Sequence, residues 1–414
     1  MAGVAIMGYG VVGSGVADII EQHQKMISAR AGQDVYVKYI LDVRDFPDSP
    51  YQDKMIKDFS IIENDPEVST VVETIGGSGV AYDFTKRALL AGKNVVTSNK
   101  ELVAKHAVEF FALAADKNVN YLFEASVGGG IPVIRPINQC LAANVITEIY
   151  GILNGTTNYV LTRMIKAGLT FDEALKEAQA LGYAEANPTA DIQGDDACRK
   201  ICILSALSFG FHIYPEMVKI EGIQNIAPED IAFGDALGRK IKLLGRAKRL
   251  ENEQIYISVA PYLIPNESPL ATIDGVFNGI IVKGDSVDEV MFYGRGAGKL
   301  PTASAIVADV IDAAKHQRAR KWMDWGGAEP SRIADCRKVE HQYFVRFNAQ
   351  EPEQAFAAAR AVFGEIEPID RANVSIFDGG FTVPPIAEGA FFEKLAQFDA
   401  ACGAPVVKNK LMLL

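Results

Sequence analysis

The sequence contains no run of about 18 apolar residues, so no helical membrane span is expected. Its opening, Met1-Ala2-Gly3-Val4, leads into a strand pattern without a basic stretch or long apolar segment, which argues against a secretory leader. Positive charge is not in excess: 41 Lys and Arg face 52 Asp and Glu, a formal net charge of −11. Nucleic acid and anionic membrane surfaces both require a large basic footprint, so neither is expected as the main partner, although a local basic pocket for a phosphate stays open. Cysteine is scarce and scattered, at Cys140, Cys198, Cys202, Cys336 and Cys402. Cys198 and Cys202 share one side of a helix, but no second Cys/His pair sits near enough to complete a zinc site. They are expected to pack as small apolar groups. A reducing cytoplasm fits all of these absences. Internal repeats and low-complexity segments are also missing.

What is present is a folded composition, 49% hydrophobic and 22% charged over 414 residues, long enough for two or three domains. The first third alternates strands (residues 4–7, 35–41, 68–72, 95–97 and 120–123) with helices (12–27, 83–91 and 106–117). Such β-α-β order predicts an α/β fold, a Rossmann-type doubly wound parallel sheet whose ligand sits at the carboxyl ends of the strands. Residues 1–132 form this domain, with a helix at 301–320 returning to it. After Gly128-Gly129-Gly130-Ile131-Pro132 the texture changes. Helical periodicity at 134–143, 158–167, 171–181 and 195–209, with strands at 146–153, 255–262, 279–283 and 289–293, predicts a second α+β domain over 133–300. Residues 321–340, with Trp325, Gly326, Gly327 and Pro330, read as a linker. Residues 341–414 then show a βαββαβ pattern: strands at 343–347, 372–377, 381–386 and 406–414, helices at 352–362 and 389–401.

Gly8-Tyr9-Gly10-Val11-Val12-Gly13 is a G-x-G-x-x-G directly after a strand and opening a helix. Gly8 permits the tight turn, Gly10 lets the backbone approach a pyrophosphate, and Gly13 allows close helix–strand packing. The helix N-terminus then presents free N–H groups and its dipole to the phosphates. The end of the second strand carries mixed cues. Asp42 and Asp45 suit the ribose hydroxyl of NAD, whereas Arg44 suits the 2′-phosphate of NADP and tips the balance slightly that way. Their distance from Gly8 exceeds the usual ~20 residues, implying a long connecting helix.

Thr97-Ser98-Asn99-Lys100 closes the fourth strand, which places Lys100 at the ligand crevice; the plainer alternative is a helix cap followed by a solvated lysine. In the stretch from Leu181 to Lys200, Pro188 forces an extended turn and Asp195 opens a strongly apolar helix. Asp196 and Lys200 share a face of it. Charges on a helix so apolar are costly unless paired or used. Glu185, Asp191, Asp196 and Lys200 therefore read as an inward-facing polar cluster, the alternative being capping carboxylates and one surface ion pair.

The glycine loop, the Thr97–Lys100 segment and Phe123-Glu124-Ala125-Ser126-Val127-Gly128-Gly129-Gly130-Ile131-Pro132 together resemble homoserine dehydrogenase. So do Gly151-Ile152-Leu153-Asn154-Gly155-Thr156-Thr157-Asn158-Tyr159, the Gly182–Lys200 stretch and Gly294-Arg295-Gly296-Ala297-Gly298. The blocks fall in order over roughly the first 310 residues. The resemblance implies NAD(P)H-dependent interconversion of L-aspartate 4-semialdehyde and L-homoserine, in threonine and methionine biosynthesis. It implies Lys200 as proton donor to the carbonyl oxygen, Lys100 between nicotinamide and substrate, and Glu185, Asp191 and Asp196 holding the substrate. Thr74, Gly76, Gly182 and Gly298 match cofactor-contacting positions, as do Val11 and Val12 within the turn. A monovalent cation, sodium, would map to Glu124 and the carbonyls of Val127, Gly129 and Ile131. The second domain would also form a homodimer interface. The chemistry is coherent in itself, because hydride attack on an aldehyde develops negative charge on oxygen, which a positioned ammonium stabilises and protonates.

The C-terminal βαββαβ order resembles an ACT domain, an amino-acid-sensing module, and would suggest threonine feedback. However, Pro352 is followed by Glu353 where such domains carry glycine, which leaves a structural or dimer-stabilising role equally open. Two other functions compete: a non-catalytic amino-acid or redox sensor, against which Lys100, Asp196 and Lys200 speak, and a dehydrogenase of another amino-acid aldehyde. No kinase segment precedes Gly8, so a monofunctional chain is expected.

Overall fold

The computed structural model describes residues 1–317, 319–370 and 374–414. They fall into two compact units, the first comprising residues 1–146, 202–215 and 282–329, the second 147–201, 216–281 and 330–414.

The first unit is built on a six-stranded parallel sheet. Its strands are β1 (Ala2–Met7), β2 (Val35–Leu41), β3 (Met55–Ile56), β4 (Val68–Glu73), β5 (Asn94–Thr97) and β6 (Tyr121–Leu122). Their order is β3-β2-β1-β4-β5-β6, so the topological switch falls between β1 and β4, where a dinucleotide belongs. β1 is buried at every position because helices cover both faces. The long helix expected after the glycine loop is two helices, α1 (Val11–Gln22) and α2 (Gln24–Ala31), broken at His23. That break accounts for the extra sequence before β2. Helix Lys299–Lys315 packs on α1, with Ala303 and the Lys299 backbone so close to Gly15 that a Cβ there would lie 3.1 Å from each. The stretch expected to be a linker is structured. Trp325 is buried against Phe111 and Phe123 and donates its indole N–H to His212 Nδ1 at 2.9 Å, and Gly326–Ala328 pairs with Phe211–His212. A buried indole N–H needs an acceptor, and the His212 ring nitrogen provides it.

The second unit begins with β7 (Ile146–Ile152), α6 (Gly155–Ala167), α7 (Phe171–Ala180), α8 (Thr189–Ile192) and the first two turns of α9 (Asp195–Phe209), whose residues from 202 onward belong to the first unit. Its sheet sets β7, Arg239–Arg249, Ile255–Pro265, Val407–Leu413, Glu340–Asn348, Asp378–Ala387 and Glu367–Pro368 side by side in that order. The C-terminal segment keeps its βαββαβ order, with helices Pro352–Phe363 and Glu388–Ala401. It is not a detached module, however. Val407–Leu413 pairs in parallel with Ile255–Pro265, and Tyr150, Leu244 and Tyr262 share one core with Phe347, Phe381 and Phe398. The strand expected at 372–377 lies partly outside the described residues, and Ile376–Phe377 is a turn; Glu367–Pro368 supplies the second strand instead. The helix expected at 134–143 is a short π-helical turn, Pro136–Cys140.

Nothing in the periodicity marks strand Arg239–Arg249, whose basic residues interrupt its apolar ones. Lys242 on this strand is fully buried, donating to Asn158 Oδ1 (3.0 Å) and the Ile273 carbonyl (2.5 Å) with Asp274 3.6 Å away. Burial outweighs these partners and pushes its ammonium down from 10.5 to about 8. Between those two values the unfolded chain holds a proton that the folded chain has released, so stability rises with pH across this window. Below it the penalty is complete and constant. Lys242→Met should remove that rise, worth at most about 3 kcal/mol. Urea unfolding of parent and variant at pH 7.5 and 10 reads it; equal pH dependence in both would contradict the assignment.

Candidate active site

In the first unit, Thr74 ties the glycine loop to β4: its hydroxyl donates to the Met7 and Gly8 carbonyls at 3.0 and 2.8 Å. The three glycines have different tasks. Gly8 sits at φ +95, and a Cβ on Gly13 would lie 1.9 Å from the Gly8 carbonyl oxygen. At Gly10 the nearest atom to such a Cβ would be Arg44 Nη2, 3.9 Å away, so the protein itself leaves room for a side chain there. A glycine where the fold needs none fits a cradle for the backbone-hugging pyrophosphate, ahead of the N-terminus of α1. Val11 is exposed at this turn.

Asp42 follows β2 and is nearly buried. Its carboxylate accepts from the Tyr9 N–H (2.7 Å), the Arg44 N–H (2.9 Å), Arg44 Nε (3.0 Å) and Arg44 Nη2 (2.8 Å). The Arg44 guanidinium is the largest cause holding that carboxyl down at about 2. Four bonds saturate a carboxylate. The Arg44 side chain, by contrast, is 59% exposed.

Glu73, not singled out by its sequence position, is the residue that shapes the neighbouring loop. Buried at the end of β4, it accepts from the Ile75 and Gly76 N–H groups (2.8 and 3.2 Å) and the Thr97 hydroxyl (2.6 Å). Burial pushes its carboxyl up. A hydrophobic strand ending in Glu was the available signal. Asn99 caps α5 (Lys100–Lys117) through the Leu102 N–H at 3.1 Å, which sets Lys100 at the helix start, at the carboxyl end of β5.

The Glu124 carboxylate is fully engaged. It accepts from the N–H groups of Val133 (2.6 Å), Ile134 (2.8 Å) and Arg135 (2.9 Å), and from Arg135 Nε (3.2 Å). With its carboxylate so occupied, Glu124 is left its main-chain carbonyl as a donor to a cation. Gly129, at φ +56, approaches the Gly296 backbone so closely that a Cβ would lie 2.3 Å from its carbonyl oxygen. That contact ties the loop holding Val127, Gly129 and Ile131 to the Gly294–Gly298 turn. Among the described residues, no group of three or more His, Cys, Asp or Glu could hold a metal. The cysteines form no disulfide, and Cys198 and Cys202 are buried.

In the second unit, β7 delivers Leu153 and Asn154 to the start of α6. Asn154 Oδ1 caps that helix through the Thr157 N–H at 2.9 Å. Gly194, at φ +95, starts α9, whose first turn carries Asp195 and Asp196, favourable at a helix N-terminus. One turn on, Lys200 donates to Asp196 Oδ2 (2.8 Å) and to the Leu153 carbonyl (2.7 Å), with side-chain exposures of 10% and 9% for the pair. Asn154 Nδ2 donates to Asp191 Oδ1 (2.7 Å) and Asp196 Oδ2 (2.8 Å). Burial, then the Asp196 charge, pushes the Asp191 carboxyl up. The structure thus brings together Asp191, Asp196 and Lys200. Glu185 does not join them as an inward-facing group, being exposed on the segment that also exposes Gly182 and Tyr183. That segment is held by Thr156, whose hydroxyl donates to the Tyr183 carbonyl at 2.6 Å. Asn154, the hub, had only a capping signal in the sequence: an Asn before a helix.

The chain matches the family model described as homoserine dehydrogenase over residues 132–311, and its NAD binding domain over residues 8–124. It is 43% identical over 387 residues to the homoserine dehydrogenase of Neisseria gonorrhoeae, covering 90% of this chain and 86% of that one. A crystal structure of a homoserine dehydrogenase from Thiobacillus denitrificans superposes with a TM-score of 0.87 at 36% identity, covering 100% of this chain and 98% of the other. A hyperthermophilic archaeal homoserine dehydrogenase in complex with NADPH matches at a TM-score of 0.64 and 27% identity, over 75% of this chain and 97% of its own. A dinucleotide fold with its glycine cradle, a lysine–carboxylate pair held in a second unit, and relatives of this identity along nearly the whole chain lead to one conclusion: the chain belongs to the homoserine dehydrogenase family.

Proposed function

We propose that in this NAD-binding oxidoreductase Lys200 protonates the carbonyl oxygen as L-aspartate 4-semialdehyde is reduced to L-homoserine, and that NADP is the preferred cofactor. The observation carrying the first part is the fixing of the Lys200 ammonium. Two of its three protons go to the Leu153 carbonyl and the Asp196 carboxylate, leaving the third to point at a substrate oxygen. The bound nicotinamide supplies the hydride. Lys100, at the start of α5 beside the carboxyl end of β5, is assigned to the region between nicotinamide and substrate. Asp191 and Asp196 are assigned to the substrate's amino group and reacting hydroxyl, and exposed Glu185 joins them only if its segment, with Gly182, folds inward on substrate. Gly76 and Gly298 are assigned to cofactor contacts. Sodium, if bound, takes the carbonyls of Glu124, Val127, Gly129 and Ile131, neutral oxygen donors that suit a hard monovalent ion.

The NADP preference is supported by the saturated Asp42 carboxylate, which has no lone pair left for a ribose hydroxyl, and by the exposed Arg44 guanidinium next to Gly10. The NADPH bound by the archaeal relative is in line with it. Steady-state rates with aspartate semialdehyde and each cofactor test both parts: faster turnover of another amino-acid aldehyde would refute the substrate assignment. Arg44→Ala should raise the KM for NADPH about tenfold, the worth of one charge-assisted hydrogen bond, and should not raise that for NADH, because it also frees two positions on the Asp42 carboxylate. An equal loss with both cofactors would remove Arg44 from phosphate recognition. We further assign the chain to a homodimer, supported by Met291 and Tyr293 exposed along strand Asp288–Arg295, and to the cytoplasm, where thiols stay reduced. The C-terminal segment is assigned a structural role on the strength of its shared core.

A further inference from the structure

We infer that Asn154 is a positioning residue of this site, its amide bridging the Asp191 and Asp196 carboxylates so that Asp196 is held in register with Lys200. Which end of the amide faces the acids is fixed by the helix cap. Oδ1 accepts the Thr157 N–H at 2.9 Å and the Thr157 hydroxyl at 3.1 Å, so the NH2 group must point the other way. There it meets Asp191 Oδ1 at 2.7 Å and Asp196 Oδ2 at 2.8 Å, one proton for each. Asp196 Oδ2 is also the atom that Lys200 Nζ binds at 2.8 Å. Two nearby carboxylates otherwise repel, and the Lys200 ammonium is bonded to Asp196. A neutral amide with two donors lowers that repulsion without adding a second cation that would compete for Asp196. The residue before it, Leu153, gives Lys200 its other acceptor at 2.7 Å. One turn of chain, Leu153–Asn154, therefore sets the ammonium and both acids, and the cap locks that turn to α6.

The inference rests on the assignment of Lys200 and Asp196 to the reacting oxygen, and two substitutions test it separately from that assignment. Asn154→Ser keeps a cap oxygen but loses both amide donors. Asn154→Asp keeps shape and cap but sets a third carboxylate against the two. The first readout is the titration of Asp191 in protein carrying carboxyl-labelled aspartate, followed by carbon NMR with the cofactor absent. Asp191 faces Asp196, Lys200, Thr156 and Asn154, and the Asn154 amide works against the burial that pushes its carboxyl up. Its midpoint should rise by about one unit in each variant. The second readout is kinetic: kcat should fall about tenfold or more in Asn154→Ser, and further in Asn154→Asp, with NADPH affinity and melting temperature of Asn154→Ser close to the parent's. An unmoved Asp191 midpoint refutes the bridge whatever the substrate, and a moved midpoint with unchanged kcat refutes the positioning role. Failure of the parent to reduce aspartate semialdehyde would instead sink the substrate assignment, while the NMR readout would still decide the bridge.

Discussion

Lys200→Arg is expected to lower turnover by a factor of about 100 or more in both directions while NADPH still binds with near-parental affinity. Arginine is chosen because it keeps the charge that Asp196 needs. Removing the ammonium outright would take from the Asp196 carboxylate, 9% exposed, its charged partner, and stranding a buried charge costs roughly 3–5 kcal/mol of stability. An alanine variant would then mix lost catalysis with lost fold. The guanidinium, however, does not release its proton in the working range and presents its donors as a rigid fork rather than a point. It can satisfy Asp196 but cannot give a proton up to the alkoxide and take it back. The pH profile sharpens the test. In the parent, homoserine oxidation should be faster at pH 9 than at pH 7, because the lysine must be neutral to accept the hydroxyl proton; in Lys200→Arg that rise should disappear. Steady-state rates at both pH values, alongside a melting curve and a fluorescence titration with NADPH, give the result. Near-normal turnover of a folded variant would take Lys200 out of the mechanism.

Gly13→Ala is expected to weaken NADPH binding about 10–100-fold and to lower the melting temperature as well. Its Cβ would lie 1.9 Å from the Gly8 carbonyl oxygen and 2.8 Å from Thr74 Oγ1. Neither can yield cheaply: Gly8 is held in the left-handed region, and Thr74 is bonded to the Met7 and Gly8 carbonyls. Relieving an overlap in a packed region costs about 1–3 kcal/mol, and each 1.4 kcal/mol is about tenfold in affinity. Gly10→Ala is the control. Its Cβ would meet nothing in the protein nearer than 3.9 Å, so stability should be preserved while affinity falls, because the lost space belongs to the pyrophosphate. Equal melting losses for the two variants, or affinities within about threefold of the parent, would contradict this division between a packing glycine and a ligand glycine.

Local patterns carried much of this protein. A glycine loop between a buried strand and a helix is short-range chemistry, so the dinucleotide unit and its β-α-β order were legible from residues 1–132. The apolar helix Asp195–Phe209 was legible too, with Asp196 and Lys200 one turn apart, because a helical face depends only on spacing. What failed was whatever depended on distant partners. Trp325 sits in a stretch rich in glycine, yet its indole is claimed by Phe111, Phe123 and His212. Strand Arg239–Arg249 was not assigned from the sequence, because basic residues interrupt its apolar ones, yet Asn158 and the Ile273 carbonyl absorb Lys242.

The same division runs through the site. Sequence by itself determined the kind of chemistry, since the residue types and spacings near Gly8 and Lys200 admit few other uses. Tertiary structure alone decided which groups are available. It spent the Glu124 carboxylate on three N–H groups of the following turn, closed Asp42 with Arg44, left Glu185 in solvent, and made Asn154 the link between two acids. The reason is that a carboxylate or amide has a fixed number of hydrogen-bonding positions, and only folding determines which neighbours fill them.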